Sequence, residues 1–155
     1  MVQVLPEPWQ VHPIFLPREA LTWTLWPVHP FFNPANVRRV LGATPNVLIL
    51  PDPVISPAMA WQIESGMGFT QSGGYVGFTL VGEQKWNGLE AFSWGRLMPQ
   101  FSTFFPAYCA AHRVDYILMA PATPSNVVDA IEGLGWPHHV EDGIEIVAVP
   151  GGQGR

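Results

Sequence analysis

Charge is what this chain has least of. Its 155 residues include seven basic and twelve acidic side chains, together 12% of the total and about half the usual globular share. One lysine, Lys85, and a net charge of −5 leave no basic stripe for phosphates, so composition excludes nucleic acid as the expected partner. The lone cysteine, Cys109, excludes an internal disulfide, and no arginine or lysine precedes Arg18 to begin a signal peptide. The expected compartment is therefore intracellular and reducing. Long apolar runs are missing too: of the two longest uncharged stretches, 20–37 is broken by Pro27, Pro30 and Pro34, and 65–82 by six glycines. Neither reads as a membrane span. What is abundant is apolar: 48% hydrophobic residues, with seven Trp and nine Phe, argue for burial over disorder. A surface so poor in charge and rich in aromatics has to be covered, and this composition points to assembly with other protein subunits.

Residues 1–32 hold six prolines and no sustained period, which predicts an extended N-terminal arm with one strand at 21–26. Its apolar side chains, notably Ile14, Phe15, Trp23 and Trp26, cannot form a core alone and are the expected interaction residues. A single domain follows over 33–150, then a short tail, 151–155. Within the domain, Asn33-Pro34, Ser56-Pro57 and Thr123-Pro124 each place a capping side chain before a proline suited to the first helical position. The corresponding stops are Gly42, Gly66 and Gly133. A fourth helix is expected over 104–112, where Thr103 as N-cap would leave Pro106 in the first turn. Strand-like runs at 47–50, 75–81, 89–94, 116–119 and 144–149 predict an α/β (α+β) fold, a mixed sheet flanked by short helices. The pattern of 46–50, a helix and Gly66-Met67-Gly68 is echoed at 115–119, a helix and Gly133-Leu134-Gly135. Either a duplication or the shared demands of turns produces such an echo.

The order of a Gly-led strand at 74–78, a carboxylate-bearing strand at 89–92, a helix, a strand at 116–119, an Asn126-led helix closing on Gly135-Trp136 and a final strand pair at 137–140 and 144–149 resembles the GNAT acetyltransferase superfamily, particularly the diverged GNAT-like proteins of tailed bacteriophages. The resemblance covers about half the chain and implies a mostly antiparallel GNAT-like sheet. It implies a site as well: acetyl-CoA bound at the loop from Gly95 and Arg96 into the following helix, and Glu90 in the position of a general base. The sequence departs from the family there. Its loop lacks the second glycine that lets backbone amides approach a pyrophosphate, and carries Pro99 and Phe101; Ile131 stands where the family has its general-acid tyrosine.

Other motifs carry less. His138-His139 with Glu141-Asp142 offers metal-ligand residue types, but adjacent strand residues face opposite ways, so at most His139 and Glu141 converge and a turn between strands is expected. Cys109 is expected as an inert buried thiol, His112 as a helix-end residue, and the two Gly-x-Gly sequences, which follow helices, as C-caps. Two readings result. The preferred one is a non-catalytic GNAT-like structural or assembly protein, a component of a phage virion assembled in host cytoplasm, without cofactor, metal, membrane or nucleic acid. The alternative is a cytoplasmic acetyl-CoA-dependent N-acyltransferase using Glu90, Gly95 and Arg96.

Overall fold

The computed structural model describes residues 29–51, 58–72, 86, 92, 95–97 and 99–152. The expected strands at 21–26 and 75–81, the Ser56-Pro57 cap, Glu90 and the arm residues Ile14, Phe15, Trp23 and Trp26 lie outside them. The described elements are a 3-10 turn (Pro30–Phe32), α1 (Pro34–Leu41), β1 (Asn46–Leu50), α2 (Ala58–Glu64), β2 (Thr70–Gln71), α3 (Phe101–Ala111), β3 (Tyr116–Met119), α4 (Ser125–Glu132), β4 (His138–Glu141) and β5 (Ile144–Ala148). The five strands form one mixed sheet in the order β2-β1-β3-β5-β4. β1 pairs in parallel with β2 and β3, and antiparallel ladders join β3 to β5 and β5 to β4.

Strand alternation divides the sheet between two cores. Val47, Ile49, Leu118, Ile144 and Ile146 face one side, packed under α1 and α2 with Trp61 and Phe69. Leu48, Leu50, Ile117, Met119 and Val147 face the other, under α3 and α4. Both central strands consequently read as continuous apolar runs, as strands buried on both faces must. The chain direction accounts for this layering. The β1-α2-β2 crossover moves one way across the sheet, and β3-α4-β4 moves the other way, since β4 runs parallel to β3 with β5 between them. Crossovers of the usual right hand that move in opposite directions require their helices on opposite faces. The two echoed segments are thus neighbours: β1 and β3 pair in register at an offset of 69 residues, Val47 opposite Tyr116. The Asp115 amide donates to the Asn46 carbonyl at 2.7 Å, and the Asp115 carboxylate accepts from the Asn46 amide at 2.8 Å.

Several local expectations are corrected. Phe31 and Phe32, assigned to the arm, are fully buried against Trp61 and Phe69, so the domain begins at least as early as Pro30. Burying two phenylalanines contributes about 1.5–3 kcal/mol each, more than an arm residue would relinquish. Phe92, placed in a strand, is helical. Asn33 caps α1 as expected, its Oδ1 accepting from the Asn36 amide at 2.9 Å. Thr123 does not cap α4: its hydroxyl donates to the Leu50 carbonyl at 3.1 Å, and Pro124 is itself the N-cap. Gly133 stays right-handed at φ −60°, and the positive φ falls two residues later, on Gly135. Helix α3 begins at Phe101, not 104, which puts Pro106 inside it.

Candidate functional site

The segment expected to cradle a coenzyme serves as a brace. Gly95, at φ +82°, gives its carbonyl to the Asn126 side-chain amide at 2.7 Å, tying the loop to α4. Arg96 is exposed and makes no hydrogen bond or ion pair among the described residues. At the start of α3, Gln100 takes a left-handed N-cap conformation without a side-chain cap, and the Phe101 ring stacks on Phe92 and Phe105 with centroids 4.5 and 4.9 Å away. The Phe101 side chain is therefore committed to the apolar core below it, while Ser102 and Thr103 of the same turn are exposed. Within that core, Cys109 is 1% exposed, and burial pushes its thiol up to about 12. A thiol so protonated is a packing group, not a nucleophile. His112 stands at the helix end, its ring against Tyr108.

In doubly wound sheets, ligands bind beyond the carboxyl ends of the strands, where neighbouring crossovers diverge. Here that point lies between β1 and β3. It is stitched by the Ala120 amide and the Thr123 hydroxyl, both donating to the Leu50 carbonyl, at 2.9 and 3.1 Å. A cleft of about 560 Å³ opens at the other end, lined by Asn46, Thr70, Arg113 and Asp115 among others. Its polar groups are largely spent on structure: the Asn46 amide nitrogen donates to the His112 carbonyl at 2.7 Å, and Asp115 holds the strand start as described above.

Sequence reasoning placed His138 and His139 on opposite faces, and so they are. Asp142 and Gly143, at φ 51° and 81°, form the two-residue turn that sets the register of β4 on β5. Glu141 reaches across to α1 and pairs with Arg39, which also bonds Asn36; Asp142 accepts from the Asn36 amide at 3.3 Å. The register brings His138 together with Glu145 of β5 and Glu132, the last residue of α4, their ligand atoms within 4.8 Å of one another. This grouping was missed. The Asp-Gly dipeptide, read as a hairpin, makes Val140 opposite Glu145 and so places His138 diagonal to it on one face.

The least satisfied surface is the outside of α2. Ala58 and Trp61 face the core, whereas Met59 and Ile63, at i and i+4, face solvent, 57% and 71% exposed, and Met67, in the cap beyond the helix, is 61% exposed. The helix is held firmly. Gln62 donates to the Phe69 carbonyl and Gln71 to the Ala58 carbonyl, each at 2.9 Å. Its end is a Schellman cap, with Gly66 at φ +66° donating to Ile63 and the Met67 amide to Gln62. The Gly66-Met67-Gly68 sequence is thus a helix stop, as expected. Compared with family models, curated proteins and solved structures, the chain matches none.

Proposed function

We propose that this protein is a non-catalytic structural or assembly module that works through protein–protein contacts. The observation that carries the reading is the pair of exposed apolar side chains Met59 and Ile63 on the outer face of α2, a helix fastened at both ends, with the exposed Met67 in the cap just beyond it. Large apolar side chains left outside in this way, on a chain with little charge, form the kind of patch that another subunit covers. His29, the first described residue, packs its ring on Trp61 of this helix at 5.8 Å. The resemblance to GNAT-like phage proteins supplies the class of partner: other virion subunits, met in the host cytoplasm.

The packing of Phe101 and the stitching at Leu50 support the non-catalytic half of the reading. A coenzyme pyrophosphate needs small residues that let it approach the amides of a helix start, and here a phenylalanine stacked on Phe92 and Phe105 stands at the first position of α3. The N-acyltransferase alternative, with Gly95 and Arg96 on acetyl-CoA and Glu90 as base, is tested by calorimetric titration. Absent or millimolar binding is expected. A low-micromolar dissociation constant that is lost in Arg96→Ala would replace this reading with the enzyme. Assembly is tested in the same preparation by sedimentation: Ile63→Asp and deletion of residues 1–12 should each leave the fold intact and weaken association.

A further inference from the structure

We propose that Glu132, His138 and Glu145 form a zinc-binding site that clamps the end of α4 to the β4–β5 hairpin. Two carboxylates and an imidazole, supplied by three elements that meet at one corner, are the donor set that zinc takes with a water in the fourth position. Calcium and magnesium, which prefer all-oxygen shells, fit it less well. The spacing is suitable: with ligand atoms no more than 4.8 Å apart, a cation at their centre stands about 2.8 Å or less from each. Small side-chain rotations close that to the ~2.0–2.2 Å of zinc bonds.

The electrostatics of the corner ask for a cation. Glu132 is the final residue of α4, whose last turn carries no basic residue, so a carboxylate sits at the negative end of the helix dipole. Across from it, Glu145 Oε1 is buried with no hydrogen-bond partner. Among the described residues the one ion pair with an arginine is Arg39 to Glu141, on the opposite face of the sheet. The His138 ring is oriented from behind, its Nδ1 3.1 Å from the Trp136 carbonyl. When Nδ1 carries the proton in that bond, Nε2 keeps its lone pair for a metal, the usual way a backbone carbonyl orients a ligating histidine.

The test is calorimetric titration of the untagged full chain with zinc chloride, alongside thermal melts. One equivalent should bind with a dissociation constant on the order of micromolar, and saturating zinc should raise the melting temperature. His138→Ala, Glu145→Gln and Glu132→Gln should each weaken binding at least tenfold; all three positions are at least partly exposed, so the variants fold. His139→Ala, on the other face of β4, should bind as the unaltered chain does. Absence of binding up to about 1 mM zinc would overturn the proposal, as would equal losses in His138→Ala and His139→Ala.

Discussion

Met67 holds its backbone at φ 59°, where glycine or asparagine is the ordinary choice, and still turns its side chain out to solvent. A strained, exposed methionine at a helix stop is costly for folding alone and intelligible as a contact residue. Met67→Gly should therefore raise stability by about 0.5–1 kcal/mol in urea titration while weakening association. Gly95 is the opposite case. A β-carbon there would stand 3.3 Å from Asn126 Oδ1 and 3.4 Å from Pro124, on a backbone at φ +82°, so Gly95→Ala should cost about 1–2 kcal/mol. Trp61 stacks on Phe32 at 4.4 Å, with its Nε1 buried and unpartnered. Trp61→Phe keeps most of the stack and removes the stranded donor, so it should be nearly neutral, whereas Trp61→Ala should cost about 3–5 kcal/mol. Glu145 adds a pH dependence. Its carboxyl is raised in the fold, so the native state holds that proton more tightly than the unfolded chain. The associated stability is present at low pH and fades as pH rises through the folded value. With zinc chelated, Glu145→Gln should be the more stable form at pH 7, by up to about 0.5 kcal/mol, the size of a like-charge pair near the surface, with the difference closing as pH falls into the range where carboxyls are ordinarily protonated.

At the scale of elements, the grammar of helix starts was the most legible part of the chain. Asn33 caps α1 because its short side chain reaches the Asn36 amide, a purely local matter. Thr123 obeyed a longer-range demand: the Leu50 carbonyl at the end of β1 needed a donor and took its hydroxyl. Capping chemistry alone could not reveal that, since the two residues are 73 apart. Helix α3 shows a similar override. Stacking of Phe101 on Phe92 and Phe105 extends the helix three residues before the expected start and strands Pro106 in its interior, where the Ser102 carbonyl has no amide to accept. Pro106→Ala should restore that bond and raise stability by about 1–3 kcal/mol, read as an upward shift in melting temperature. Phe92 differs from the expectation because a short stretch such as 89–94 fits a strand and a buried helical turn equally well. The zinc corner was hidden for a different reason. Glu132, His138 and Glu145 become neighbours only through the hairpin register and the end of α4, although the Asp142-Gly143 turn announced the first of these.

For the whole molecule, the three inner strands β1, β3 and β5 were legible as apolar runs, whereas β2 at Thr70–Gln71 carries no such run and β4 was implied only by the resemblance; the layering follows from chain direction and crossover hand. Function was less legible, because composition announces an uncovered surface without locating it. Helical periodicity marks core faces, and the outward row of Met59 and Ile63, with Met67 in the cap beyond it, is set by Ala58 and Trp61 occupying the inward face of α2. The central claim, that this row is covered in use by another subunit, is tested most directly by sedimentation equilibrium of the full chain, paired with Ile63→Asp. The unaltered protein should associate reversibly over roughly 1–100 µM, and the substituted one, equally folded by circular dichroism, should weigh as a monomer throughout. An unaltered chain that stays monomeric across that range, or an Ile63→Asp variant that associates as strongly, would contradict it.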